Sequence, residues 1–400
     1  MAKAVTKSLT LAEKVKKIKA QLKAIHEQAG IDPEVDDPIA FFASDPEAKK
    51  INEVQFVPTP CMELNERISG KPGIGGFPIV AMTIVTGVAD VGKTSLILES
   101  IALSQKRDPN FMALWIESEH SLNDDILNMF HIDQKRFVQV IMSPQEGGEA
   151  VLDRAEGLLN LGTFDMFVIN SLKALTPKSI INKPISEDTM AVHARMNSKF
   201  CAKFLPLFST KRIAAVIVAH LSTQIGGFMV GDPLRLSGGE QIKYLSILQL
   251  DLRKLSIGEG DPIGKEEGMK ICAYIRKNHI NASEFPYAKI TYYIIYGQGT
   301  ETRLALMQRG LDRGILTKAG AYIKFVDKET GEVMSWQGKQ AFRNALSDPD
   351  LYAKIEKACG GLEEELTAEE IETFEKEAAE EQQSAKKTRK KKEEPPDEAG

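Results

Sequence analysis

Val80-Ala81-Met82-Thr83-Ile84-Val85-Thr86 runs into Gly87-Val88-Ala89-Asp90-Val91-Gly92-Lys93-Thr94, which is followed by Ser95-Leu96-Ile97-Leu98-Glu99-Ser100-Ile101-Ala102-Leu103. The first segment is an apolar run of strand length. The second fits GxxxxGK[ST] at every fixed position. The third carries helical periodicity. A glycine loop between a strand and a helix N-terminus turns backbone N–H groups toward a phosphate. Lys93 adds a point charge for the outer phosphates, and Thr94 offers a hydroxyl to Mg²⁺. A loop doing only turn work would leave Lys93-Thr94 unexplained. The stretch therefore predicts a nucleotide site, with ATP and Mg²⁺ as cofactors, held by Gly87, Val88, Ala89, Asp90, Val91, Gly92, Lys93, Thr94 and Ser95.

Outward from this loop, strand-like runs recur at Met112–Ile116, Val138–Ile141, Met166–Ile169, Ala214–Ala219, Ile247–Leu252, Ile271–Ile275 and Ile290–Ile295. Helical patterns separate the first five strands, counting Val80–Thr86. The fold class is α/β, a P-loop NTPase core with a mostly parallel central sheet. The last three runs follow one another through short loops, so antiparallel strands are expected at one edge. Leu9, Leu11, Val15, Ile18, Leu22 and Ile25 recur at helical spacing, predicting an amphipathic helix over 7–29 whose stripe covers either its own core or a neighbouring subunit. The expected organisation is 1–50 as helix and linker, 51–300 as the ATPase core, 301–361 as a small α+β module, and 362–400 as a charged, largely disordered tail. The module is expected to have helices near 302–316 and 337–358 around a hairpin at 328–331.

The 400 residues are 42% hydrophobic and 27% charged, which excludes a mainly disordered chain. Residues 363–400 carry 14 acidic and 7 basic side chains, net −7; with the whole chain at −5, the body holds +2. Such a body leaves room for local polyanion-binding patches. Cys61, Cys201, Cys272 and Cys359 are far apart and form no zinc pattern, as expected of reduced thiols in a cytosolic protein. The basic N-terminus lacks an apolar signal region, and no apolar run approaches ~18 residues, so no membrane span is expected.

The second strand ends in Trp115-Ile116-Glu117-Ser118-Glu119-His120. A carboxylate just past a core strand sits where ligands bind in open α/β sheets. Glu119 or Glu117 is placed to orient, or take a proton from, a water attacking the terminal phosphate. The strand Asp165–Asn170 ends in Asn170, where P-loop NTPases usually carry an Asp that holds Mg²⁺ through water. An amide oxygen accepts from a metal-bound water but brings no charge. The expectation is a slow ATPase with a high Mg²⁺ requirement, which Asn170→Asp relieves.

The segments GVADVGKTS, IESEHSL, FVINSLKALTPK, MAVHARM, VIVAHLSTQIG, LSGG, LQLDLRK, IRKNHI, YYIIYGQG and GILTKAGAYI, in this order, resemble the RecA-family recombinases, particularly the phage-type members. The resemblance covers about 50–358. It implies that Glu119 is the catalytic glutamate, that His220 senses the terminal phosphate and opens a second DNA loop over 221–239, and that Lys277 reaches the ATP of a neighbouring subunit. It implies Tyr296 as a nucleotide contact. Met190, Arg195, Phe228, Met229, Arg235, Gly238 and Gly239 fall on the DNA path, with a first DNA loop near 178–189. The glycine-rich second loop reads independently as mobile, with Phe228, Met229 and Val230 offering apolar wedges and Arg235 a charge. Lys199, Lys203, Lys211, Arg212, Arg253, Lys254, Arg276 and Lys277 are candidates for a groove taking a second strand. Asn123, Ile126, Ser222, Gln224 and His279 depart from the family pattern.

The reading is an ATP-dependent recombinase forming a homo-oligomeric helical filament on single-stranded DNA and pairing it with double-stranded DNA, with an ssDNA-binding protein and a loader as further partners and no membrane. Cytoplasmic localisation follows, in a bacterial host if the chain is phage-encoded. Alternatives are a hexameric helicase on the same core and a nucleotide-switched binding scaffold with little hydrolysis.

Overall fold

The computed structural model describes residues 11–30, 42, 53–143, 145–181, 190–223, 234–236, 240–258, 261–281, 288–327 and 330–359. Two compact units divide the chain, Met1–Gln55 and Phe56–Gly400. In the first, α1 spans Leu11–Ala29. Val15, Leu22 and Ile25 are half-buried, while Ile18 is 46% exposed. The Lys19 ammonium lies 6.0 Å from the Phe42 ring centroid. Residues 7–10 of the expected helix lie outside the described residues.

The second unit is built on one large sheet. Its strands include β3 (Ala81–Gly87), β4 (Ala113–Glu117), β5 (Phe137–Ile141), β6 (Met166–Asn170), β7 (Ala214–Thr223), β9 (Leu248–Leu255), β10 (Gly268–Asn278), β11 (Lys289–Ile295) and β12 (Gly299–Thr300), ordered β12-β11-β10-β9-β3-β7-β6-β4-β5. β8 (Leu234–Leu236) pairs antiparallel with the end of β7. From β9 through β5 neighbouring strands run parallel; β10, β11 and β12 continue antiparallel at one edge. Two short strands, β1 (Phe56–Val57) and β2 (Phe77–Pro78), pair apart from it.

Every residue of β3 is buried, because a central parallel strand is covered on both faces. The side-chain period of two then sorts the core. Val85, Trp115, Val168 and Val216 join Leu96, Ile97 and Ile101 of α3 (Lys93–Arg107) on one face, with α2 (Met62–Ser69) alongside. Ile84, Ile116, Phe167 and Ile217 meet α5 (Gly148–Leu159) and α6 (Met190–Thr210) on the other; α4 (Asp124–Met129) lies between β4 and β5 in the chain. On α6, Phe200, Phe204 and Phe208 recur every fourth residue and pack on Phe167 and one another.

A third core fills the small module: β13 (Leu316–Ala319), β14 (Tyr322–Val326) and β15 (Val333–Gln337) form an antiparallel sheet beside α8 (Thr302–Asp312), α9 (Gly338–Ala345) and α10 (Pro349–Ala358). Short α7 (Glu240–Leu245) precedes β9. Two sequence expectations change here. The helix near 302–316 stops at Asp312, and Leu316 enters β13, its side chain buried against Gly310, where a Cβ would lie 2.7 Å from it. The helix over 337–358 is two helices, because Asp348 caps a new N-terminus and Pro349 has no N–H to continue the previous turn. Residues 328 and 329 of the expected hairpin lie outside the described residues.

Phe204 is 1% exposed and stacks 5.7 Å from Phe167. Phe204→Ala is expected to lower unfolding free energy by about 3–5 kcal/mol in chemical denaturation, the usual cost of emptying a packed aromatic site.

Candidate nucleotide-binding and hydrolysis site

Register brings the expected residues to one edge. Because β3 lies between β7 and β9, Gly87 faces His220 on one side and Leu252 on the other. Glu117 faces Asn170 where β4 meets β6. Gly87, Glu117 and Asn170 end their strands, and His220 and Leu252 are level with Gly87, at the ligand-binding edge of such sheets.

The loop after β3 is built as a cradle. At Gly87 a Cβ would lie 2.6 Å from the Leu252 carbonyl oxygen; at Gly92, with φ +83°, it would strike Ile294 at 2.4 Å. Lys93 is 6% exposed and its Nζ donates to the carbonyls of Gly87 (3.2 Å) and Val88 (2.7 Å). Burial holds this ammonium below its ordinary range, while Glu119 and Asp90 pull the other way. The N-terminus of α3 has no side-chain cap and no acidic residue in its first turn. Its orphan N–H groups and buried cation fit a phosphate. Thr94 and Ser95 are half-buried on the first turn.

Geometry separates the two glutamates. Glu117 is 2% exposed, and its carboxylate accepts from Trp115 Nε1 (2.9 Å), Asn170 Nδ2 (3.2 Å), the N–H groups of Glu119 (3.0 Å) and Ser121 (3.2 Å), and Ser121 Oγ (3.3 Å). It is committed to holding the loop. Glu119 Oε1 instead accepts a short hydrogen bond from Ser171 Oγ and lies 2.7 Å from His220 Nε2, with about a third of each side chain exposed. Burial alone would raise the Glu119 carboxyl; Ser171, His220 and Lys93 outweigh it and hold the group below the usual carboxylate range. An ionised carboxylate only accepts, so the facing His220 nitrogen carries the proton. Glu119 is thus an ionised, partly exposed acceptor coupled electrostatically to the phosphate lysine.

Asn170 is 2% exposed. Its Nδ2 also donates to Ser121 Oγ (3.3 Å), and its backbone carbonyl accepts from Ser118 N (2.9 Å) and Oγ (3.0 Å). Asn123 caps α4 by accepting from Ile126 N at 2.9 Å. Tyr296 is 50% exposed in the turn from β11 to β12. That turn is tied to the phosphate helix: Glu99 of α3 accepts from Thr300 N (2.8 Å) and Oγ1 (3.0 Å).

On the DNA side, Met190 opens α6 and Arg195 is exposed on it. Arg235 lies in β8, its backbone paired with Ser222; β7 runs on to Thr223, so part of the expected mobile loop is strand. Phe228, Met229, Gly238 and Gly239 lie outside the described residues. Lys277 stands apart from the Glu119 cluster, its Nζ donating to the carbonyls of Lys243 (3.1 Å) and Tyr244 (2.9 Å), and burial lowers its pKa. The expected basic groove is only partly assembled. Arg253, Arg276 and Lys289 gather over the Tyr274 ring at 5.0, 5.3 and 5.5 Å, and both arginines reach Asp251. Lys203 pairs instead with Glu156 at 2.6 Å.

No sequence motif marks Ser171, Glu99 or Lys289 as a site residue. The serine directly follows the strand end, a position that spacing marks; the other two signal nothing locally.

Glu99 supplies a test. Burial pushes its carboxyl up to about 7 from an ordinary 4.5, against the Thr300 hydrogen bonds. The folded state then binds more protons than the unfolded one between those values, so this group's contribution falls as pH rises from 4.5 toward 7 and levels above it. The Tm of Glu99→Gln relative to wild type is expected to rise through that window; a difference that stays constant with pH contradicts the assignment.

Residues 45–301 match the family model described as RecA N-terminal domain. The chain is 29% identical over 307 residues to a protein named Protein RecA from Aquifex aeolicus (strain VF5), covering 76% of this chain and 83% of that one. It is likewise 29% identical to Protein RecA of Corynebacterium aurimucosum, covering 73% and 74% of the two chains, and to that of Kineococcus radiotolerans, covering 76% and 82%. These relatives are bacterial, whereas the motifs alone lean toward phage-type members. With the family match spanning more than half its length, the chain belongs to the RecA family of ATP-dependent DNA recombinases.

Proposed function

We propose that this chain polymerises as a helical filament on single-stranded DNA with ATP between subunits, pairs the bound strand with a homologous duplex and exchanges strands. The observation that carries the reading is the contact between Glu119 and His220, because His220 lies on the strand that leads into the second DNA loop. One contact joins the group that acts on water to the segment that would touch DNA.

Nucleotide phosphates fit the 87–95 cradle, with Lys93 and the α3 N-terminus as the positive partners and Tyr296 nearby for the base. Mg²⁺ fits Thr94 Oγ1 and, through water, Asn170 Oδ1; when bound it neutralises phosphate charge as a Lewis acid. Glu119 orients a water and accepts its proton. Ser171 and His220 hold Glu119 ionised for that task. Lys277 reaches the nucleotide of a neighbouring subunit, and His220 reports the terminal phosphate. Met190, Arg195, Phe228, Met229, Arg235, Gly238 and Gly239 line the strand path. The α1 stripe, among whose described side chains none is buried, packs on the next subunit. The Arg253–Arg276–Lys289 cluster over Tyr274 supports a second, duplex-facing surface, and the acidic tail competes for it. An ssDNA-binding protein and a loader act on the same filament in the cytoplasm. Among the described residues no helix is long and apolar enough to cross a membrane.

The test is strand exchange between circular single-stranded and linear duplex DNA. Joint molecules are expected with ATP and Mg²⁺ and are absent without nucleotide. Lys93→Ala is expected to lose them together with nucleotide-dependent DNA binding. ATP-dependent single-strand binding without joint molecules would favour the scaffold reading instead.

A further inference from the structure

Asn170 replaces the carboxylate expected at the end of the metal strand, and sequence alone treats this as a lost charge. The geometry gives the amide a purpose. Nδ2 donates to Glu117 Oε2 at 3.2 Å and to Ser121 Oγ at 3.3 Å. The opposite amide orientation would set Oδ1 against the Glu117 carboxylate, so the network itself fixes which end is nitrogen. Oδ1 is then the end left to accept from elsewhere. Glu117 uses its remaining lone pairs on Glu119 N, Ser121 N and Oγ, and Trp115 Nε1.

We infer that Asn170 is a positioning residue for Glu119, acting through Glu117, and that this site requires an amide and excludes a carboxylate at 170. The inference rests on the reading of Glu119 as the group that acts on water. The path is short. Asn170 secures one oxygen of Glu117, and the other oxygen holds the Glu119 N–H. The neighbouring peptide is fastened in parallel, with Ser118 bonded to the carbonyls of Asn170 and Ser171, and Ser171 Oγ donating to Glu119 itself. An aspartate at 170 would put two carboxylates about 3.2 Å apart, both almost fully buried, and remove a donor from Glu117. Repulsion and the lost bond both loosen the Glu119 loop. Restoring the family's charge should therefore harm this chain, which reverses the sign expected from sequence.

A cycle of Asn170→Asp, Glu117→Gln and the double variant tests this on the full chain. Three quantities are measured: nucleotide-free melting, fluorescent ATP-analogue binding across Mg²⁺ concentrations, and single-turnover hydrolysis. Asn170→Asp is expected to melt lower by about 4 °C or more, and to hydrolyse at least about tenfold slower at nucleotide affinity within about twofold, because a displaced catalytic group costs rate before binding. Its Mg²⁺ midpoint does not fall. In the double variant an amide again faces a carboxylate, so it melts above the sum of the single losses and regains part of the rate. Additive losses, an Asn170→Asp protein as stable as wild type, or one with a lower Mg²⁺ midpoint and faster turnover each overturn the inference. A wild-type protein that binds no nucleotide would defeat the functional reading while leaving the melting cycle to decide this one.

Discussion

A carboxylate buried to 2% exposure needs donors, and the structure of this site follows from how Glu117 obtains them. Burying a charge is costly unless it is hydrogen-bonded. The donors come from the core (Trp115 Nε1), the next strand (Asn170 Nδ2) and the loop itself (Glu119 N, Ser121 N and Oγ). The loop after β4 is therefore fixed against β6, and Glu119 projects to meet Ser171, His220 and the field of Lys93. Two carboxylates two residues apart thus divide the work. One is sequestered and organises; the other is partly exposed and stays ionised.

The fold was largely legible because a parallel sheet writes itself into sequence as uninterrupted apolar runs. β3 is the clearest case, a fully buried strand leading into a loop where Gly87 lies against the Leu252 backbone and Gly92 holds a left-handed φ. The antiparallel edge of β10 and β11 was equally readable from short connections. The small module was less so. Leu316 reads as a further helical turn, yet tertiary packing makes it a strand residue, and the break at Asp348-Pro349 is overrun by flanking helical pattern.

Within the site, spacing located both glutamates but was unable to rank them. Ranking depends on which carboxylate the folded chain buries, and partners as distant in sequence as Asn170 and His220 decide that. The same holds for Asn170: compared with a motif it is a missing charge, whereas beside Glu117 it is a donor. Glu99 shows the limit most plainly. Nothing near it in sequence announces that it will tie the phosphate helix to Thr300, 201 residues away.

The proposed role of Glu119, held by Glu117 and joined to His220, is to couple hydrolysis to DNA. Steady-state ATP hydrolysis of wild type and Glu119→Gln, each with and without single-stranded DNA, decides this. Wild-type hydrolysis is expected to rise on adding DNA, and Glu119→Gln to bind ATP and DNA but lose at least about a hundredfold in rate under both conditions. A variant hydrolysing at the wild-type rate, or wild-type turnover indifferent to DNA, would contradict it.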